Sequence, residues 1–324
     1  IPFNGSDEDG DNLTYSTTSN PANGTLSSST SGGVTLYEFT NLDGEGRTGP
    51  ESLDGYNGTV LEGEVNLVNS GIQEWVVPET GTYEMEVWGA QGGGSNGGYG
   101  AHIKSEFELE AGRKIYILVG QQGQTGKNSN GLNNRGNSSG GGGGTFVIYS
   151  AQLTTAVKND ILIIAGGGGG EGTSQLTANN VCSESQRQGQ NANANDEYGG
   201  LGQINDTANT GSRGENGGGA TRQGNSGASG GAGFTSNSSA YGSGWAESAY
   251  AYRAFSSENS GKGALQAHTG LGGNGGFGGG GAGAYGGGGG GGYSGGKAGY
   301  YQRCTDSGGG YGGSYVQTNV LYAP

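Results

Sequence analysis

The sequence has few of the side chains with which most globular proteins build a core. Only 30% of its 324 residues are hydrophobic and 13% are charged, and no run of 18 apolar residues is present that could cross a membrane as a helix. Five prolines and the lack of a Gly-X-Y period exclude collagen. If the whole chain is ordered, backbone hydrogen bonds must therefore stabilise it to an unusual degree.

The sequence also lacks the residue patterns of an enzyme. His102 and His268 are the only histidines, too few and too distant for a metal cluster or a catalytic triad. No phosphate-binding loop of the G-x-x-x-x-G-K-[ST] type occurs, and no pair of carboxylates stands out. We therefore expect no enzymatic activity and no organic cofactor. The net charge of −14 argues against nucleic acid and anionic membranes as partners.

Two cysteines, Cys182 and Cys304, are far apart and match no metal-binding spacing. The first interpretation is a long-range disulfide that ties an insert near residues 171–200 to the end of the glycine-rich region. By reducing the entropy of the unfolded chain, a disulfide that closes so long a loop would stabilise the fold by about 4 to 5 kcal/mol. The alternative is two free, buried thiols.

Glycine is abundant instead, with 80 residues, and it is densest in residues 270–299. Such a run normally indicates a flexible linker. However, aromatic residues recur every eight positions, at Phe277, Tyr285, Tyr293 and Tyr301. This spacing favours short rods of polyproline-type geometry, folded back on one another, with the aromatic residues near their ends. Backbone groups of such rods would bond laterally.

The middle of the chain predicts β-strands. Over 81–109 the residues Tyr83, Met85 and Val87 alternate with glutamates, and a second strand places His102 on the polar face. Further strands are expected over 72–77, 114–120, 145–150, 160–166 and 314–322, and one over 59–68. A short helix is expected over 243–259.

Residues 1 to about 45 carry short strand patterns separated by polar turns, as in a partial sandwich. The stretch GSDEDGDNLTYSTTSNPANGTL resembles the start of cadherin-like and immunoglobulin-like repeats of large bacterial surface proteins. The strand complement is short, so the segment Ile1, Pro2 and Phe3 is a candidate donor for strand exchange between copies. The alternating carboxylates Asp7, Asp9 and Asp11 fit either a calcium site or a tight turn of solvated acids.

Seven Asn-x-Ser/Thr sequons are present, and each is a candidate glycosylation site only in a glycosylating organism. They are Asn4, Asn12, Asn23, Asn57, Asn137, Asn205 and Asn237. The chain begins at Ile1 without Met or a signal peptide, which is typical of a processed product or a fragment. From these features we expect an extracellular or cell-surface location.

A more specific resemblance covers residues 72–324. It rests on four elements, which are VWGAQGGG at 87–94, IYILVGQQG at 115–123, DILIIAGGGGG at 160–170 and the glycine run at 275–296. Their order resembles that in the glycine-rich extracellular domain of anaplastic lymphoma kinase and leukocyte tyrosine kinase receptors. The resemblance implies a jelly-roll sandwich, similar to tumour necrosis factor, fused to a bundle of polyglycine-II-type helices.

The predicted fold is therefore all-β. We divide the chain into a partial immunoglobulin-like segment (1–48), a connection (49–71) and a glycine-rich domain (72–324). Within that domain we expect jelly-roll strands at 72–170 and 314–322, a polar insert at 171–269 and polyglycine rods at 270–299. The first functional prediction is a structural or adhesive subunit that self-associates into a filament by strand donation. The alternative is the ligand-binding ectodomain module of a receptor-like protein.

Overall fold

The computed structural model describes residues 35–69, 71–127, 138–150, 152–173, 175–177, 180–201, 212–220, 228–239, 250–256, 259–266, 272–299 and 308–317. The chain divides into two compact units, Ile1–Glu38 and Phe39–Pro324. Of the first unit only residues 35–38 are described, so the predicted immunoglobulin-like segment lies almost entirely outside the described residues. The second unit begins ten residues before the predicted boundary at residue 49.

The described residues form an all-β protein with one four-residue helix. Its elements are β1 (Val65–Val68), β2 (Ile72–Val76), β3 (Gly81–Trp88), β4 (His102–Leu109), β5 (Lys114–Leu118), β6 (Thr145–Tyr149), β7 (Ile161–Ala165), β8 (Gln175–Thr177), β9 (Asn180–Val181), α1 (Glu184–Arg187) and β10 (Tyr315–Val316). Every pairing between these strands is antiparallel.

Six strands form the main sheet in the order β1-β2-β5-β6-β7-β10, while β3 with β4 and β8 with β9 form separate hairpins. Strand β1 is shorter than the strand predicted over 59–68, and it lies inside the segment that was assigned to a connection. The connection therefore contributes an edge of the sheet. At the opposite edge, β10 supplies the start of the predicted C-terminal strand.

The centre of this sheet is buried on both faces. All five residues of β7 are buried, as are the first four of β6, which is why the sequence there is continuously apolar instead of alternating. A bulge lies between β6 and β7, where Val147 pairs with Ile163 but Ile148 pairs with Ile161. Because the bulge inserts one extra residue, Ile161 and Ile164 both reach the same core cluster despite their odd spacing.

That core joins the sheet to the glycine-rich segments. Its members from the sheet include Tyr116, Leu118, Phe146 and Ile148, all buried. The aromatic members that lie outside the sheet are Phe234, Phe255, Phe277 and Tyr293, and all but Phe255 belong to glycine-rich stretches. The sheet therefore packs on aromatic side chains that the glycine segments deliver.

The glycine segments are bonded to one another through their backbones. We call the segment 286–293 the central glycine segment. Its consecutive N–H groups donate to three different neighbouring segments, and the cycle then repeats three residues later. The six bonds are Gly288 to Ser139 O (2.9 Å), Gly289 to Ser229 O (3.1 Å), Gly290 to Gly310 O (2.8 Å), Gly291 to Gly142 O (2.9 Å), Gly292 to Ala232 O (3.3 Å) and Tyr293 to Gly313 O (2.8 Å).

The carbonyl groups of the central glycine segment accept bonds from three further stretches of chain with the same period. Gly170 and Gly167 donate to Gly288 and Gly291, Gly299 and Gly296 donate to Gly287 and Gly290, and Ala284 and Gly281 donate to Gly286 and Gly289. Six neighbours thus surround one glycine backbone. We call this arrangement, formed by residues 138–144, 166–171, 229–233, 273–299 and 308–313, the glycine lattice.

The aromatic residues of the run lie where the chain bends. Phe277, Tyr285 and Tyr293 each fall within a turn or bend of the backbone. Phe277 and Tyr293, sixteen residues apart, are buried in the sheet core, whereas Tyr285 between them is only half-buried and is not a member of that core. Successive segments of eight residues therefore run to and from the sheet, and the run is packed, not a linker.

The helix expected over 243–259 is absent from its described part, residues 250–256. There the Ala251 N–H donates to Ser238 Oγ (2.9 Å) and the Tyr252 N–H donates to Lys262 O (2.9 Å). These lateral bonds use donors that a helix would satisfy internally. Phe255 still reaches the core, but it does so from a bend.

We predict that Gly290→Ala destabilises the protein by about 1 to 3 kcal/mol or more. A Cβ at Gly290 would meet the Gly167 carbonyl oxygen and the Gly312 nitrogen, which are backbone atoms that a rotamer change cannot move. Urea unfolding measures the effect.

The matched control is Gly81→Ala. Its Cβ has no heavy atom within 4 Å, so stability should be unchanged or slightly higher. Equal midpoints for Gly290→Ala and Gly81→Ala would contradict a tightly packed lattice.

Candidate interaction surface

Strands β3 and β4 form the longest hairpin of the described chain, and its side chains alternate strictly between two faces. The inward face packs toward β7 and includes Val87, Ile103, Phe107 and Leu109, all buried. The other face is in solvent; we call it the outer hairpin face. It consists of Thr82, Glu84, Glu86, Trp88, His102, Lys104, Glu106 and Glu108. The placement of His102 on a solvated sheet face agrees with the sequence analysis.

The register of the hairpin concentrates carboxylates on the outer face. Glu84 lies directly opposite Glu106, and Glu86 lies opposite Lys104. Lys104 Nζ reaches diagonally to Glu84 Oε1 at 2.7 Å. The pKa of Lys104 is raised, first by this hydrogen bond and then by the charges of Glu84, Glu86 and Glu106. The outer hairpin face thus carries four glutamates, one lysine and one histidine, so it has an excess of negative charge.

A large aromatic residue stands at one end of this face. Trp88 is 55% exposed, and its ring stacks on that of His102 with centroids 4.7 Å apart and planes 2° from parallel. The histidine is held in turn by Glu86, whose Oε1 lies 2.7 Å from His102 Nε2. The orientation of the exposed indole is therefore fixed by two neighbours. Tryptophan, with tyrosine and arginine, is enriched among the residues that contribute most to binding at protein interfaces.

The connection between the two strands adds a second exposed aromatic residue. Tyr99 is 65% exposed, yet its backbone is held. Its N–H donates to Asn191 Oδ1 at 2.8 Å, and its carbonyl accepts from the Ala192 N–H at 2.8 Å. The aromatic side chain is thus presented by a fixed backbone.

An ion pair anchors the same connection to helix α1. Glu171 is buried, with Oε1 2.5 Å from Arg187 Nη1 and 3.0 Å from Asn96 Nδ2. Only the carboxylate of this pair is buried, since the Arg187 side chain is 21% exposed, and the pair links three segments of the chain. Here the joined segments are α1, the end of the 166–171 segment and the β3–β4 connection.

The exposure of Trp88 was not predicted from the sequence, although a signal was available. In TYEMEVW the apolar residues Tyr83, Met85 and Val87 point inward, so the next residue must point outward with the glutamates. An outward tryptophan in an acidic strand is unusual enough to mark a surface.

The predicted sites in the first 34 residues lie outside the described residues. They are the strand donor Ile1, Pro2 and Phe3, the calcium candidates Asp7, Asp9 and Asp11, and the sequons Asn4, Asn12 and Asn23. The sequons Asn137 and Asn205, and His268, also lie outside the described residues. These sites remain predictions.

The other predicted sites can be located in part. Cys182 is buried and is not a free thiol, whereas Cys304 lies outside the described residues, so its pairing with Cys182 stays a prediction. Asn57 and Asn237 are both exposed. The side-chain oxygen of Asn237 accepts a hydrogen bond from the Arg253 N–H at 2.9 Å, whereas Asn57 lies in a surface turn.

Within the described ranges, no three His, Cys, Asp or Glu side chains lie close enough together to bind a metal ion. A search of the same ranges finds no helix with the length and apolar character needed to cross a bilayer.

Comparison with known proteins gives partial similarity to a receptor. The chain is similar to the leukocyte tyrosine kinase receptor of Mus musculus, with 36% identity over 98 residues that make up 27% of this chain. The match spans 11% of the receptor, so this chain corresponds to about a tenth of that relative. No family model matches the chain. The similarity supports a distant relationship to that receptor.

One buried side chain in the lattice carries a prediction of its own. Lys297 is 2% exposed, and burial lowers the pKa of its amine from 10.5 to about 8. Between these two values the unfolded chain holds a proton that the folded chain has released. Stability should therefore rise as the pH increases from about 8 toward 10.5, and the full penalty of the buried charge should apply below pH 8.

We predict that Lys297→Met removes this rise and is more stable than the wild type at pH 7. Urea unfolding between pH 7 and 9 measures it, because tyrosines of the unfolded chain ionise around pH 10. Lys104→Met, at an exposed lysine, should keep the rise. A parallel pH dependence in the wild type and Lys297→Met would contradict the prediction.

Proposed function

We propose that the protein is an extracellular recognition module, the ligand-binding part of a receptor-like protein, in which the glycine lattice serves as a rigid base. The observation that carries the proposal is the outer hairpin face, where a fixed, exposed Trp88 borders an excess of carboxylates. The partial match to a receptor tyrosine kinase supports the receptor-like and extracellular parts of it.

The fold that we propose for this base is a bundle of polyglycine-II-type helices. The three-residue period of the lateral hydrogen bonds supports it, because a polyglycine II helix has three residues per turn and directs successive N–H groups to three neighbours. We further propose that the main sheet and the β3–β4 hairpin are the two layers of a jelly-roll sandwich, similar to tumour necrosis factor. The packing of β3 and β4 against β7 supports this part.

The chemistry of the face defines the partner. Four glutamates against one lysine favour a partner surface rich in lysine and arginine, because complementary charge accelerates association and excludes acidic proteins. Trp88 supplies apolar area that becomes buried on contact. We therefore propose a basic protein as the ligand class.

A test uses a lysine-rich peptide of about 20 residues as probe, titrated into the protein at low salt. The double variant Glu84→Lys and Glu106→Lys should abolish binding, because it turns the centre of the face basic. Trp88→Ala should weaken binding about tenfold, since truncating an aromatic residue that matters at an interface typically costs about 1 to 2 kcal/mol or more.

The matched control makes the same charge change elsewhere, at the exposed Glu51 and Glu62. If Glu51→Lys with Glu62→Lys lowers affinity as much as the hairpin variant does, only the net charge matters and the face is not the binding site. Unchanged affinity of Trp88→Ala would likewise contradict the proposal.

The filament subunit remains a second candidate function, favoured by one observation. Strand β1 forms an edge of the main sheet and is paired on one side only among the described strands. Such an edge is what a strand from another copy needs for pairing. Deletion of Ile1–Phe3 should then abolish assembly while leaving the melting temperature unchanged, with negative-stain microscopy as readout. Monodisperse particles of the wild type at high concentration would contradict this candidate.

A further inference from the structure

A lysine side chain lies over two tyrosine rings at the β10 edge of the sheet. Lys158 Nζ is 4.6 Å from the ring centroid of Tyr315 and 5.2 Å from that of Tyr293. Both distances are within the range of about 6 Å in which a cation is attracted to an aromatic face. The two rings are stacked, with centroids 4.7 Å apart. Glu197 Oε2 completes the surroundings at 3.5 Å from the amine.

The rings are held firmly by the fold. Tyr293 ends the central glycine segment, is 2% exposed, and its N–H donates to Gly313 O at 2.8 Å. Tyr315 belongs to β10, pairs with Ile164 of β7, and its hydroxyl donates to Gln317 Oε1 at 2.8 Å. The glycine lattice therefore fixes the ring of Tyr293, and the sheet fixes that of Tyr315.

The cation comes from a more exposed part of the chain than Tyr293 does. Lys158 lies in a three-residue 3-10 turn, Lys158–Asp160, and its side chain is 49% exposed, as is 53% of its ion-pair partner Glu197. An ion pair this exposed contributes little by itself. Both tyrosine rings would stay in place if Lys158 moved out. The structure therefore combines two fixed rings that attract a cation with a lysine that a ligand can replace.

We propose that Tyr293, Tyr315 and Glu197 form a binding site for a trimethylammonium group of the choline class, which Lys158 fills when no ligand is bound. We call it the ammonium site. Aromatic rings attract quaternary ammonium ions, and the stacked pair Tyr293 and Tyr315 supplies two rings within reach of one cation, beside the opposite charge of Glu197. The site lies apart from the outer hairpin face and does not depend on the function proposed there.

The internal lysine decides which ligands can enter. A tethered competitor acts at an effective concentration in the millimolar range or above. A free primary amine has the same strongly hydrated ammonium as Lys158 and gains nothing over it. A trimethylammonium group is more weakly hydrated and covers more of both rings, so it can displace the lysine.

The test titrates choline chloride into the whole protein, with sodium chloride at equal ionic strength as reference, and follows ligand binding by NMR. The wild type should bind weakly, and Lys158→Ala should bind about tenfold more tightly or better, because the internal competitor is gone. Lys114→Ala is the matched control: this lysine is 48% exposed and paired with Glu74, and within the described part of the chain its amine lies over no aromatic ring. Its affinity for choline should equal that of the wild type.

A second variant tests whether the tyrosine rings bind the ligand. Tyr315→Leu combined with Lys158→Ala should lose at least about tenfold in choline affinity while keeping its circular dichroism spectrum. Ethanolamine, a primary amine of similar size, should bind Lys158→Ala more weakly than choline does. If Lys158→Ala does not fold, Lys158→Gln replaces it, and the wild type with and without Tyr315→Leu gives the same comparison at high choline.

Three results would overturn the proposal. One is equal choline affinity in Lys158→Ala and the wild type, and another is full retention of affinity in the Tyr315→Leu variant. The third is ethanolamine binding as tightly as choline, which would identify a site for any amine.

Discussion

Lateral hydrogen bonding between glycine backbones is the interaction on which the rest of this structure depends. Six stretches of chain surround the central glycine segment, and each is bonded to it at every third residue. The spacing leaves no room for a Cβ, since a methyl group at Gly288 or Gly290 would occupy the position of a neighbouring carbonyl. Alanine is accepted at particular places, where Ala232, Ala251, Ala264 and Ala282 form a small cluster of their own. Glycine here is a packing requirement rather than a source of flexibility.

The lattice replaces part of a hydrophobic core and shares its ends with the rest of that core. With only 30% hydrophobic residues, the chain concentrates its large side chains in the sheet and at bends of the glycine run. Phe277 and Tyr293 belong to the lattice by their backbones and to the sheet core by their side chains. Sheet and lattice are therefore coupled, which explains how a chain so rich in glycine can hold a surface hairpin in a defined position.

In our proposals, function depends on the side chains that the glycine lattice and the sheet hold at the surface. Few residues recognise partners in our proposals, and they lie on the sheet or at its borders. They are Trp88 with the hairpin glutamates, and the tyrosines around Lys158. The similarity to a receptor covers 27% of the chain, and a shared fold does not transfer a ligand. The two surfaces differ in chemistry, one acidic and one aromatic with a single carboxylate, so each is expected to recognise its own ligand class.

The sequence by itself determined the features that depend on near neighbours. The all-β class, the strands β3 and β4 and the solvated position of His102 follow from a period of two, and the bends at Phe277 and Tyr293 follow from a spacing of eight. Tertiary structure decided the rest. Residues 250–256 carry helical spacing but bond laterally to Ser238 and Lys262, and β1 joins the main sheet. Lys158 meets Tyr293 and Tyr315 across more than 130 residues of chain. Local periodicity fixes which way a side chain points, whereas the partner that it meets depends on how distant segments pack, and glycine backbones carry no side-chain pattern that would specify it.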